Sequence, residues 1–213
     1  MQISLQQVNP LHIEPAKIAG SALWNEDITI RYGEHLHIVA PSGTGKTTLM
    51  HFMYGLRSDY EGKIIYNGMD LKTCNAEDLA KYRKEEVSII FQDLRLFDGQ
   101  TVRENIEIKR RLNPYHGAPE VDQMCERLGI GNKMDQPAGT CSYGEQQRIA
   151  IIRALMQPFR FLLLDEPYSH LDEDNRKKAM ELIYDECEKR KAAMVFADLK
   201  PLELLIDERV LML

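Results

Sequence analysis

Residues 35–48 read His35-Leu36-His37-Ile38-Val39-Ala40-Pro41-Ser42-Gly43-Thr44-Gly45-Lys46-Thr47-Thr48. The mostly apolar, β-branched run 35–40 predicts a buried strand, and the pattern over 47–56 predicts a helix directly after the turn. Glycines 43 and 45 let the intervening backbone fold tightly, so that consecutive N–H groups face one point, and the positive end of the helix adds to them. Such a turn attracts phosphate. Lys46 is placed to bridge the β and γ phosphates of a nucleotide, and the Thr47 hydroxyl to ligate a divalent cation. Ser42, Gly43, Thr44, Gly45 and Thr48 complete the cradle. Ala40 stands where the pattern G-x-x-x-x-G-K-S/T begins with glycine, a departure that a negative φ at residue 40 accommodates.

Further along, Phe161-Leu162-Leu163-Leu164-Asp165-Glu166-Pro167 delivers two acids at the end of an apolar strand. Ending a buried strand on adjacent carboxylates is unfavourable unless a cation or a reacting group meets them. Asp165 is expected to hold Mg²⁺ through its water shell, and Glu166 to polarise an attacking water as general base. In parallel α/β sheets ligands collect beyond the carboxyl ends of the strands, where both segments fall. The remaining core strands are expected at 87–91, 193–197 and 210–213, and helices at 145–157 and 175–189. This alternation predicts an α/β fold with a mainly parallel core sheet. Half-exposed strands at 4–8, 27–31 and 62–66, the last closed by Asn67-Gly68, predict a small antiparallel β layer beside it. From residue 94 to about 136 charges are dense and β-branched residues sparse, which predicts a helical insertion with helices near 101–112 and 119–128. No repeat or linker divides the chain, so 1–213 reads as a single domain.

Composition narrows the possibilities. Among 213 residues, 27 Lys and Arg against 33 Asp and Glu give a net charge of −6, a poor basis for binding nucleic acid, which needs a surplus of cations near phosphates. No stretch reaches the 18 uncharged apolar residues of a membrane span, and the first residues lack the basic segment and apolar core of a secretory signal. Cys74, Cys125, Cys141 and Cys187 show no C-x-x-C spacing, and are expected as free thiols in a reducing cytoplasm. Trp24 and the ten methionines are read as gap-filling packing residues.

Three more stretches carry a family resemblance. Phe91-Gln92-Asp93 ends a strand between the two nucleotide motifs, Cys141-Ser142-Tyr143-Gly144-Glu145-Gln146-Gln147-Arg148 opens a helix, and Ser169-His170-Leu171-Asp172 follows the acid pair. In this order they resemble the Q-loop, signature and D-loop of the ATP-binding subunit of ABC transporters, so the fold expected is a P-loop NTPase of ABC type. The Gly144-Glu145-Gln146-Gln147-Arg148 ending is similar to the lipoprotein-release, macrolide-export and cell-division ATPases. The resemblance implies ATP and Mg²⁺ as cofactors, with Gln92 ligating the metal or the attacking water. It implies a homodimer closed by ATP, in which Ser142 and Gly144 meet the γ-phosphate held by the opposite chain and Asp172 contacts that chain. A signature helix starting at Glu145 would offer its N-terminal N–H groups to the phosphate. Adenine would stack near His12.

Two departures bear on chemistry. Ala197 stands where the family has its switch histidine, and Ala cannot hydrogen-bond a γ-phosphate, a loss that can slow turnover by roughly 10² to 10³. His170 is a conceivable substitute. Tyr143 replaces the first signature glycine, where its ring would pack beside nucleotide or crowd the dimer. The resemblance therefore implies a cytoplasmic ATPase, peripheral to the inner face of the membrane, that powers a separate membrane permease or complex. The alternative is an ATP-gated assembly module with little hydrolysis. A ribosome- or DNA-acting relative and a P-loop kinase fit less well, the first for want of a second ATP domain or a long coiled-coil insertion, the second because the signature would have no role.

Overall fold

The computed structural model describes residues 1–200 and 209–213. In chain order the elements are β1 (Gln2–Pro10), α1 (Pro15–Ile18), β2 (Asp27–Arg31), β3 (His35–Val39), α2 (Lys46–Met53), β4 (Tyr60–Tyr66), β5 (Met69–Asp70), α3 (Ala76–Glu85), β6 (Val87–Ile90), α4 (Val102–Leu112), α5 (Ala118–Arg127), α6 (Tyr143–Leu155), β7 (Phe161–Asp165), α7 (Glu173–Arg190), β8 (Ala193–Asp198) and β9 (Arg209–Met212). Strands β6-β7-β8-β3-β9 form a sheet in that order, with every pairing parallel. A second sheet, β2-β1-β4-β5, is antiparallel. The chain thus has the α/β architecture expected, with its parallel core, antiparallel layer and helical insertion.

Both faces of the parallel sheet are covered, so β3, β6 and β7 are buried at every position and side-chain alternation sorts their residues between two cores. Phe161, Leu163, Ala193, Val195 and Ala197 pack with Leu36, Ile38 and the buried face of α2, on the side of the antiparallel layer. Leu162, Leu164, Met194 and Phe196 face the opposite core, built from α4, α5, α6 and α7. Full burial of each large apolar side chain stabilises by about 1.5–3 kcal/mol. The registers align the strand ends: Val39 lies opposite Asp198, and Asp165 opposite Ala197. The loop after β3 and the acid pair after β7 therefore flank the end of β8, which puts Ala197 between them.

The insertion is held by its own polar devices. Thr101 and Glu104 form a capping box at the start of α4. Buried Asn105 closes the preceding loop, donating to the Phe97 and Thr101 carbonyls at 3.0 Å each and accepting from the Phe97 N–H at 2.8 Å. The loop between α4 and α5 is tied to α7 by Glu186, which is fully buried and accepts from His116 at 2.7 Å, from Lys189 at 2.8 Å and from Arg190. Burial alone would push the Glu186 carboxyl upward, but these three donors outweigh it and bring it down to about 2. All four cysteines are free.

Three elements lie outside the expected pattern: α1, β5 and α3. Segment 76–85 carries few apolar residues, and its helix is held by the Asn75 cap and by the Tyr82 hydroxyl, which donates to the Met53 carbonyl at 2.9 Å. Strand β1 runs past the expected 4–8 because it bulges, with Gln7 at φ 48° and the register to β4 shifting between Gln6 and Asn9. Opposite the bulge, Gly62 has φ 79°, and a Cβ there would collide with the Gln6 and Gln7 carbonyl oxygens. Gly62→Ala is expected to destabilise the protein by more than about 1 kcal/mol in urea unfolding. Glu186 sets an acid limit. Its folded pKa is depressed, so its contribution, on the order of 3 kcal/mol, is complete above the ordinary carboxylate range and is lost as pH falls from about 4.5 towards 2. Melting temperatures measured from pH 7 to 3 should fall more steeply for the wild type than for Glu186→Gln, which starts lower.

Candidate functional site

The turn after β3 folds as its sequence demands. Gly43 and Gly45 take φ values of 81° and 106°, the left-handed region that glycine enters freely, while Ala40 keeps a negative φ. Gly45 is also required by a close approach. A Cβ there would meet Ile13 and lie 3.0 Å from the Trp24 ring, whose indole N–H donates to the Thr44 carbonyl at 3.2 Å. Trp24 therefore braces the loop as well as filling the core, a role its sequence position did not announce. Ser42 and Gly43 are exposed, and Thr44 closes the turn by donating to the Pro41 carbonyl at 2.8 Å.

Lys46 opens α2 and is buried, with Nζ 2.9 Å from the Ala40 carbonyl, 3.1 Å from the Pro41 carbonyl and 3.2 Å from Glu166 Oε1. Glu166 sits just past β7 at φ 47°, a strained setting for a residue with a Cβ, and its N–H is held by the Ala197 carbonyl at 3.0 Å. Its other carboxylate oxygen accepts from the Gln92 amide at 3.4 Å, and the Gln92 side-chain carbonyl accepts from the Thr47 hydroxyl at 3.2 Å. Lys46, Glu166, Gln92 and Thr47, drawn from three distant segments, form one chain of contacts.

Beside them Asp165 is 1% exposed, and neither of its carboxylate oxygens has a hydrogen-bond partner. Burial raises its pKa to about 6; the Thr47 hydroxyl, which donates to Gln92, offsets this only in part. An orphaned, nearly dry carboxylate next to a threonine hydroxyl and an amide carbonyl fits a hard divalent cation whose remaining ligands are water and phosphate oxygens. Among the described residues no cluster of three or more His, Cys, Asp or Glu could cage a metal without such help. A cavity of about 330 Å³ lies here, lined by Thr47, His51, Gln92, Asp93, Tyr143 and Asp165. Burial, then the charge of Arg95, lowers the pKa of His51, keeping that imidazole neutral near pH 7.

The signature segment departs from expectation at its boundary. The helix begins at Tyr143, two residues before Glu145, because Ser142 and Glu145 form a capping box: Ser142 Oγ accepts from the Glu145 N–H at 3.3 Å, and the Glu145 carboxylate from the Ser142 N–H at 2.8 Å. The S-x-x-E spacing was the signal for this cap. Glu145 also lies 3.6 Å from Lys133. Gly144 packs closely on the D-loop, since a Cβ there would come within 3.1 Å of the His170 carbonyl. Buried Gln147, whose helix-interior amide gave no other clue, accepts from the His170 N–H at 3.2 Å and donates towards the Glu166 carbonyl at 3.4 Å. Asp172 caps α7, accepting from the Asn175 N–H at 2.8 Å. Tyr143 reaches back within its own chain: its hydroxyl donates to the Gln92 carbonyl at 3.3 Å and its ring lies 4.2 Å from that of His170. His12 is largely exposed and lies 3.3 Å from Asp59, while its neighbour Ile13 is the residue that packs on the loop.

Comparison with known proteins agrees with this arrangement. Residues 23–169 match the family model for ABC transporters. The chain is 32% identical to the uncharacterized ABC transporter ATP-binding protein YvcR of Bacillus subtilis, over 84% of this chain and 70% of that protein. It is 33% identical to the aliphatic sulfonates import ATP-binding protein SsuB of Bacillus licheniformis, over 92% of this chain and 72% of that one. Identity to the macrolide export ATP-binding/permease protein MacB of Brucella abortus is 34%, over 78% of this chain but only 26% of the MacB chain. Among solved structures, the dimeric post-hydrolysis state of the ATP-binding cassette MJ0796 bound to ADP and Pi superposes with a TM-score of 0.80 at 25% identity, covering 93% of this chain and 88% of that one. With its phosphate loop, acid pair, Q-loop, signature and D-loop placed as described, the chain belongs to the ABC transporter family, as one of its ATP-binding cassettes.

Proposed function

We propose that this cassette hydrolyses ATP in the cytoplasm and uses the closure of two copies to drive a separate membrane permease or membrane complex. The observation that carries the proposal is the contact chain Lys46–Glu166–Gln92–Thr47 beside orphaned Asp165. The inward N–H groups of 42–48 would cradle the phosphates, and Lys46 would neutralise them. Phosphate oxygens would compete for Lys46, freeing the Glu166 carboxylate to accept a proton from water held by Gln92. Thr47, Asp165 and Gln92 are the residues fit to hold Mg²⁺, which when bound supplies charge neutralisation at the leaving and transferred phosphates. Ser142, Gly144 and the N-terminus of α6 would face the nucleotide of a second copy, with Asp172 at the same contact and His12 beside the base. No described helix is long and apolar enough to cross a membrane. In MacB one chain carries both ATP-binding and permease parts, which supports a permease as partner here.

Purified protein mixed with Mg-ATP should bind nucleotide, and Glu166→Gln should keep binding while losing phosphate release by at least about 10²-fold and accumulating as a dimer in size-exclusion chromatography. Failure of both forms to bind ATP would overturn the proposal. Ala197 favours a second reading, a nucleotide-gated module with slow turnover, because the residue lies fully buried at the end of β8 between the phosphate loop and the acid pair. Under that reading Ala197→His raises steady-state phosphate release by up to roughly 10² to 10³. Brisk release by the unaltered chain, abolished by Glu166→Gln, excludes it.

A further inference from the structure

Helix α6 holds the segment after β6 at two points. Near the end of the helix Arg153 donates to the Leu94 and Arg95 carbonyls, and at its first residue the Tyr143 hydroxyl donates to the Gln92 carbonyl at 3.3 Å. The backbone beside these contacts is strained. Leu94 and Arg95 follow one another at φ 55° and 50°, the left-handed region that residues with a Cβ seldom enter. Backbone in that state keeps its shape only where its surroundings hold it. Arg153 holds the left-handed pair. Among the described residues no hydrogen bond other than that of Tyr143 reaches the Gln92 carbonyl. The Tyr143 ring is steadied in turn by His170, 4.2 Å away between ring centres at an interplanar angle of 60°.

Gln92 is the residue this contact serves. Its side-chain carbonyl lies 3.2 Å from the Thr47 hydroxyl and its amide 3.4 Å from Glu166, beside orphaned Asp165. Thr47, Gln92 and Asp165 line one cavity, and Tyr143 is the residue that α6 contributes to it. A small divalent cation such as Mg²⁺ demands a near-ideal set of ligands, and binds best where they are placed in advance. Gln92 is exposed and its side chain is long, so its carbonyl oxygen is no better fixed than the main chain that carries it. Packing on His170 would need the Tyr143 ring alone, and phenylalanine would supply it. The hydroxyl ends instead on the main chain of a residue fit to hold the metal. We propose that Tyr143 is a positioning residue for the divalent cation: by pinning the Gln92 main chain it keeps the Gln92 side-chain carbonyl beside Thr47 and Asp165, and so strengthens binding of the metal that accompanies the nucleotide. This rests on the reading of Thr47, Gln92 and Asp165 as the residues that hold the cation, and adds to them one that acts without touching it.

The test uses the full chain and a fluorescent form of AMP-PNP, an ATP analogue that is not hydrolysed, so that metal binding is read without turnover. The Kd is measured in excess Mg²⁺ and again in EDTA, and the ratio of the two reports what the metal adds. Tyr143→Phe, which keeps the ring, and Tyr143→Leu, which does not, should each lower that ratio by about 3- to 10-fold, the worth of one neutral hydrogen bond, and leave the Kd in EDTA within about twofold of the wild type. In a Gln92→Ala background Tyr143→Phe should lower the ratio no further, because no side-chain carbonyl is left to place. Melting curves check that each variant folds, and Tyr143→Leu decides if Tyr143→Phe does not. A ratio unchanged by Tyr143→Phe, whether or not Tyr143→Leu lowers it, or a loss that persists in full without the Gln92 side chain, overturns the role of Tyr143. A wild type that binds the nucleotide equally well in Mg²⁺ and in EDTA brings down the cation site and the role of Tyr143 with it. A metal-dependent wild type matched by Tyr143→Phe brings down the role of Tyr143 alone.

Discussion

A carboxylate almost without solvent, whose oxygens lack a hydrogen-bond partner and have only the Thr47 hydroxyl nearby, is the constraint around which this site is arranged. Asp165 holds that position because β7 is buried on both faces up to its last residue. The neighbouring Thr47 hydroxyl offsets its burial only in part. The neighbouring elements supply what a cation site needs: β3 ends beside β8 and sends the phosphate loop over the sheet edge, α2 presents the Thr47 hydroxyl, and the segment after β6 brings Gln92 alongside. Lys46 and Glu166 neutralise each other at 3.2 Å, which keeps the rest of the site balanced around the one group that is not.

The order of these parts follows from sheet topology. In the parallel sheet β8 separates β3 from β7, so the glycine turn after β3 and the acid pair after β7 approach from either side of the same strand end. Residue 197 occupies that end. Its carbonyl fixes the Glu166 backbone whatever side chain it bears. The alanine side chain therefore leaves the backbone of the acid pair held.

Much of this is legible in the chain itself. Apolar β-branched runs locate all five parallel strands to within a residue or two, because strands buried on both faces admit little else. The glycines, Lys46 and the two acids mark the site, because each is a type that the surrounding packing would not otherwise choose. What the sequence conceals depends on tertiary contact. Helix α3 has too few apolar residues to show a period and is docked largely through Tyr82 and its cap. Trp24 reads as ordinary core until the phosphate loop folds against it. Tyr143 reads as a ring that packs beside nucleotide or crowds the dimer, and the sequence gives no sign that its hydroxyl meets the backbone of its own Q-loop and its ring meets His170. Helix α6 starts two residues before Glu145, where the signature motif alone would begin it, because the cap formed by Ser142 and Glu145 already encloses its first turn.

Glu166 holds its backbone at φ 47°, a conformation that asparagine and glycine tolerate better than glutamate, by about 1 kcal/mol or more. Any selection for heat resistance that ignores catalysis will be drawn to this position and will replace the carboxylate proposed to take a proton from water. Libraries evolved for thermostability alone should therefore accumulate folded, nucleotide-binding, inert cassettes, and the share of glutamate surviving at residue 166 would report how strongly activity had been kept under selection.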